Sequence, residues 1–364
     1  MFTSQDKINP NQIAIALVSI MIGGGILAMP SVFAAAAARD GWLSILLAGA
    51  DAALAVYCLT LLGKTFPSEN ILEYSSRLLG KKLGFVVGIV FLVFFLLSTA
   101  MAVRQFGDVL KIYFLEKTPL EVINLTMLFT SAYLVGHGVN SMFRVMQTFF
   151  PLLIIPIVLL LLMALPMANF KEVLPLFEQG AVPIFKGSIV GYGIFGGYSI
   201  IGFFIPYLSK AEKAVIPCLG AQALVIIIYL AMFLIALAVF GPIELSNSLF
   251  PIVDLVRLIE VPGTFIERFD IIILSIWILA VFTTVVAVYF LSATTLTHLT
   301  GLGELRCWVF LLLPFIYLIA MTPQNIDEVS TFGKVVGDFS LGLTFYIEIL
   351  ILLALKHIKE AKQK

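Results

Sequence analysis

The sequence predicts an all-α integral membrane protein: ten transmembrane helices arranged as a five-plus-five inverted repeat, with helices 1 and 6 broken at the bilayer midplane. Three observations carry this reading. The 364 residues are 61% hydrophobic and 12% charged, with a mean hydropathy of +1.08, more apolar surface than a soluble fold of this size can bury. Stretches of roughly 20 mostly apolar residues, the length that crosses a hydrocarbon core, recur along the whole chain. Two glycine-rich runs, Ile22-Gly23-Gly24-Gly25-Ile26 and Gly191-Tyr192-Gly193-Ile194-Phe195-Gly196-Gly197, fall at the centres of two of those stretches, where glycine lets a spanning helix open.

Taken in order, the spans are 11–37, 41–64, 83–112, 119–137, 144–165, 183–208, 214–240, 264–298, 305–322 and 338–357. A β-barrel would alternate apolar and polar residues over short strands, whereas Pro151 to Leu165 is apolar on every face. The first span is long for a signal peptide and lacks a small-residue cleavage site, so it is expected to remain as a helix. The chain reads as one polytopic domain, 1–364, with repeats at 11–165 and 183–358. A unit of five spans re-enters the membrane upside down when repeated, and a glycine break falls in the first helix of each unit. The halves share no evident residue-by-residue identity, so the repeat rests on topology and glycine position. Thirteen Lys and Arg residues fall in loops on the side of the termini against eight on the other, which predicts that both termini are cytoplasmic.

An opened helix exposes backbone groups. Amides at the start of its second half lack intrahelical partners and carry the positive end of the dipole. Gly24, Gly25 and Ile26 could therefore receive a carboxylate, and the carbonyls of Met21 and Ile22 could accept from an ammonium group. Together these describe a zwitterionic amino acid. The competing reading is close helix packing, a common use of small residues in membranes. At the second break, Gly193, Gly196 and Gly197 stand beside Phe195 and Tyr198, which could cover a ligand as an aromatic lid.

Ionisable groups inside spans are costly. Arg104 and Asp108 lie four apart and share a helix face, as a structural ion pair or as a gate. Asp51 in the second span and Glu348 in the tenth each stand alone, either as neutral acids bonded to a neighbouring helix or as proton-coupling groups. Outside the membrane, 246–260 reads as a short amphipathic helix, with Leu249, Ile252, Val253, Val256 and Ile259 opposite Asp254, Arg257 and Glu260. Glu267 and Arg268 could form an interface salt bridge. Cys58, Cys218 and Cys307 lack metal spacing and read as reduced thiols, and His137, His298 and His357 are dispersed. No catalytic or metal site, cofactor, nucleic-acid patch or Walker loop is indicated, so the chain is read as a non-enzyme.

The residues also carry a family likeness. Gly25-Ile26-Leu27-Ala28-Met29-Pro30, Gly41-Trp42, Leu115-Glu116-Lys117-Thr118-Pro119 and Phe265-Ile266-Glu267-Arg268-Phe269-Asp270, with Trp277 following, resemble the B subunits of spore germinant receptors, over residues 9 to 357. That family is similar in fold to permeases of the amino acid-polyamine-organocation superfamily. The resemblance implies a protein of the spore inner membrane that works with a larger A subunit and a C-subunit lipoprotein. It implies recognition of a small germinant, often an amino acid. It also places Ser98, Thr99, Thr283 and Thr284 at pocket depth, although Ser and Thr commonly satisfy helix carbonyls instead. Several relatives carry an acid shortly after the glycines of the sixth helix, where this chain reads Gly197-Tyr198-Ser199-Ile200. Tyr198 and Ser199 offer neutral hydrogen bonds there. Three functions fit the reading: a ligand-sensing receptor subunit, an amino acid permease coupled to protons or sodium, or part of a ligand-gated ion channel.

Overall fold

The computed structural model describes residues 7–177, 179–259, 269–302 and 304–363, with side chains except at 269, 270, 272 and 357–363. Glu260, Phe265, Ile266, Glu267 and Arg268 lie outside the described residues, as do the side chains of Phe269, Asp270 and His357. The described residues form helices joined by turns and short loops, with one isolated bridge between Ile8 and Leu208.

Helix α1 (Pro10–Gly25) starts at a capping box in which Asn9 and Gln12 satisfy each other's backbone amides, with Pro10 in its first turn. It gives way at the turn Ile26–Ala28 and resumes as α2 (Met29–Ala37). Then follow α3 (Gly41–Thr65), α4 (Ile71–Leu79), α5 (Lys81–Tyr113), α6 (Leu120–Val135) and α7 (Val139–Ala164). The second interruption separates α8 (Ala181–Phe195) from α9 (Ile201–Phe204) by a 3-10 stretch, Gly196–Ile200. Beyond it come α10 (Val215–Asn247), α11 (Pro251–Leu258), α12 (Phe269–Thr300), α13 (Leu305–Met321) and α14 (Ile326–Gln363). Among the described residues, seven stretches are long and apolar enough to cross a membrane, and α1, α6 and α13 are shorter apolar helices.

The helices differ from the apolar spans where polarity and helicity part company. Helix α4 is additional; the Asn70/Glu73 capping box that starts it marks a helix too polar for a hydropathy scan. Helix α14 begins twelve residues before the apolar stretch, because an α-helix continues past the hydrocarbon once its polar face meets water. In α10, Gly241 adopts φ +72° and is followed by Pro242, which kinks the helix at the end of the apolar run. Helix α11 buries Ile252, Val253, Leu255 and Val256 and leaves Arg257 exposed, as an amphipathic helix does, while Leu249, before its first turn, stays exposed.

Helix α12 forms the centre, with Val285, Val286, Ala287, Tyr289, Phe290, Leu291 and Ala293 all buried. Helix α1 crosses it at Gly23, where a Cβ would overlap the Ala280 carbonyl and the Thr284 hydroxyl. Two backbone bonds tie the segment before α1 to the end of the second interrupted path: Ile8 N–H to Tyr207 O at 2.8 Å and Ser209 N–H to Ile8 O at 2.9 Å. Ile8 itself is buried.

Arg104 and Asp108 do pair. Arg104 Nε donates to both carboxylate oxygens at 3.0 Å, and Nη1 donates to Pro323 O at 2.6 Å. The guanidinium therefore clamps α5 to the α13–α14 connection. Removing one member of a buried pair strands the other, at a cost of about 3 kcal/mol. Arg104→Met is expected to lower the thermal midpoint in detergent, and adding Asp108→Leu to recover most of the loss.

Candidate functional site

A cavity of about 120 Å³ lies where the two interrupted helices approach each other. Helix α1 contributes Ile20, Met21 and Gly24, and the α8 end with its 3-10 stretch contributes Gly193, Ile194, Gly196, Gly197, Ser199 and Ile200. Helix α5 supplies Phe94, Phe95, Ser98, Met101, Ala102 and Gln105, spaced three and four apart so that they form one face. Thr284, Val288 and Val336 complete the wall. None of these side chains is ionisable.

The wall's polar groups divide into engaged and free. Thr284 Oγ1 donates to Ile20 O at 3.0 Å and lies 3.2 Å from Ala280 O, joining α12 to α1. Ser199 Oγ donates to Gly196 O at 3.1 Å. Ser98 Oγ is buried and has no hydrogen-bond partner, although its neighbour Thr99 donates to Phe95 O at 2.7 Å.

Several expected residues stand elsewhere. Gly23, Gly24 and Gly25 remain helical, and Ile26 N–H donates to Ile22 O at 3.3 Å, so α1 opens one turn later than expected. Of the two carbonyls assigned to an ammonium group, Met21 O accepts from Tyr229 Oη at 2.6 Å and Ile22 O accepts from Ile26. Ile22 and Ile26 line a separate apolar cavity of about 40 Å³ with Leu27, Ile252 and Trp277. Gly25 faces Ile194 and Tyr229. Thr99 and Thr283 bond backbone carbonyls within their own helices. The aromatic lid is not formed: Phe195 packs on Tyr229, with ring centroids 5.2 Å apart, and Tyr198 turns its hydroxyl to Thr344. Large aromatics here fill the interhelical volume that the glycines leave.

Asp51 and Glu348 are not alone. Helices α3, α8 and α14 pack together and bring the Asp51 and Glu348 carboxyls and the Tyr192 hydroxyl within interaction range. Asp51 Oδ2 and Glu348 Oε1 are buried and unpartnered. Span-by-span reading treats each acid in isolation and so misses the pairing. Gln105 and Tyr229 were also missed. Gln105 sits seven residues after Ser98 on the same face, and Tyr229 is the single tyrosine of α10, both visible once α5 and α10 are known to flank the breaks.

Comparison with known proteins gives the family and the fold. The family model described as "Spore germination protein" matches residues 7–329. Spore germination protein YndE of Bacillus subtilis is 29% identical, with all of both chains covered. Spore germination protein A2 of the same organism is 26% identical over 93% of this chain and 92% of its own, and GerQB of Bacillus cereus is 22% identical over 97% of each. Among solved structures, MhsT in complex with L-phenylalanine superposes with a TM-score of 0.70 at 14% identity, covering 93% of this chain and 87% of that one. A substrate-bound, outward-open Na+-coupled sialic acid symporter gives 0.71 at 12% identity, covering 96% and 80%. These likenesses establish a transporter fold.

Among the described residues, Asp51, Glu348 and Tyr192 act on one another here, with no basic group among them, so two ionised carboxyls would repel each other there. Glu348→Gln is expected to leave the thermal midpoint in detergent unchanged or to raise it; a clear drop would show that the carboxylate is needed for folding.

Proposed function

Because the chain belongs to the spore germination protein family, we propose that it is the nutrient-sensing membrane subunit of a spore germinant receptor. In this reading a small germinant, an amino acid, enters the cavity between the interrupted helices and shifts a conformational equilibrium that partner subunits read. The observation that carries it is the largely apolar cavity at the meeting of the two breaks, in a chain of this family with a transporter fold. Catalysis has no part in it. The seven long stretches and three shorter apolar helices are read as ten crossings, broken in helices 1 and 6, with both termini cytoplasmic, in the spore inner membrane. The partners are an A subunit and a C-subunit lipoprotein.

A second reading, a cation-coupled amino acid permease, is favoured by one specific observation. The carbonyl oxygens of Ile20 and Ala280 and the hydroxyls of Thr283 and Thr284 converge where α1 crosses α12. Such a group of neutral oxygens suits a monovalent cation once the hydroxyls turn their lone pairs inward. The two readings separate on turnover. Saturable binding of a labelled amino acid to the purified protein without uptake into proteoliposomes supports the sensor. Concentrative uptake driven by a sodium or proton gradient supports the permease, and steady ion currents through the assembled complex would make it a channel.

The pocket assignment has its own test. A Cβ at Gly24 meets Thr284 Cγ2 at 3.5 Å, an ordinary contact, whereas one at Gly25 meets Ile194 Cγ2 at 3.3 Å. Gly24→Leu should fill the cavity without blocking the helix crossing, and Gly25→Leu should push Ile194 inward. Both are expected to insert normally and to lose at least roughly tenfold in ligand affinity; wild-type binding by Gly24→Leu would exclude this cavity as the site.

A further inference from the structure

The cavity wall has an uneven supply of hydrogen-bonding groups, and the unevenness sets how a ligand must lie. The donors expected at the first break are spent, since α1 stays helical through Gly25 and Ile26 N–H is paired. Ser199 and Thr284 have their hydroxyl protons on backbone carbonyls. Gly193 and Ile194 at the end of α8 line the cavity at the negative end of that helix's dipole, which suits a ligand's ammonium or other donor group. It does not suit a carboxylate.

Acceptor groups on a ligand therefore have to find donors on α5. Ser98 stands out there. Ser19, Thr60, Thr99, Ser275, Ser292 and Thr297 all return their protons to the carbonyl four residues back, whereas Ser98 Oγ is buried with no partner. A buried hydroxyl without a hydrogen bond is destabilising, and one lining a cavity is relieved by a ligand group that bonds it. Gln105 lies on the same face seven residues on, about 10 Å along the helix axis, with Met101 and Ala102 between them on the wall. Its carboxamide reaches back over part of that distance and brings two N–H donors.

We propose that Ser98 and Gln105 donate to the acceptor end of the ligand, a carboxylate or carboxamide, while its donor end rests on the carbonyl end of α8. The ligand is then a small molecule of zero net charge with a donor at one end and an acceptor at the other, because no ionisable side chain in the wall could balance an excess charge. This inference deepens the germinant-binding reading and rests on it.

The test uses the purified full chain and a panel of the twenty labelled amino acids, followed by the carboxamide and the decarboxylated amine of the tightest binder. Ser98→Ala should weaken the amino acid about tenfold, and Ser98→Thr, which keeps the hydroxyl, should restore most of it. Gln105→Glu places a negative charge against the ligand's acceptor end, so preference should move from the amino acid towards its amine. Unchanged affinity in Ser98→Ala, or equal loss in Ser98→Thr, overturns the role of Ser98. Unchanged preference in Gln105→Glu overturns that of Gln105. Both results would leave the cavity's ligand reading standing, whereas a wild-type protein that binds no member of the panel overturns that reading and this one with it.

Discussion

The constraint on which this structure depends is that polar groups inside a bilayer have no water to bond, so each must be satisfied by the protein itself. Where α1 crosses α12, Gly23 brings the two backbones together and Thr284 bridges them by donating to Ile20 O. Tyr229 reaches from α10 to Met21 O, and Arg104 reaches from α5 to Pro323 O. Each of these bonds joins two elements that hydrophobic burial alone would leave free to slide, because lipid is as apolar as the helix faces it covers. Ser98 Oγ in the cavity and the acid oxygens on the α3–α8–α14 seam are among the buried groups left unsatisfied.

Much of the architecture was legible in the sequence, for a physical reason. Hydropathy over twenty residues reports the thickness of the hydrocarbon core, so the apolar centres of the helices fall where the spans were read. Their ends did not follow, because α14 continues into water from Ile326 and α4 is an amphipathic helix announced by its Asn70 cap and not by its hydropathy. The first glycine run ends where the turn Ile26–Ala28 begins, and the second runs into the 3-10 stretch Gly196–Ile200. What they could not reveal is which backbone groups open. Gly24 and Gly25 have the freedom to unwind, yet tertiary packing holds them helical and moves the opening to Ile26–Ala28.

The convergence of some expected residues was legible in the sequence. Met21, Gly24, Ser98, Gly193, Gly196, Gly197, Ser199 and Thr284 do meet at one cavity, because residues near the middle of spans that flank a break must converge at the same depth. Phe195 and Tyr198 were misjudged because position along a helix gives depth but not azimuth; both point into neighbouring helices. The Asp51–Glu348 encounter lay beyond single-span reading for the same reason, since it needs the packing of three helices.

One contact bears on how occupancy of the cavity could be felt at a distance. The strap through Ile8 binds the entry of α1 directly to the exit of the second interrupted path at Tyr207 and Ser209, and these are the two paths whose centres enclose the cavity. A body filling the cavity must adjust the separation of α1 from α8 at mid-depth. With their ends pinned by two backbone bonds and a buried side chain, that adjustment becomes a change of angle about the pinned end rather than a uniform parting. The largest displacement then falls at the opposite ends, on α2 and on the region where Ile252 N–H approaches Leu27 O at 3.5 Å. Two backbone bonds and one buried side chain thus join the two paths at this end.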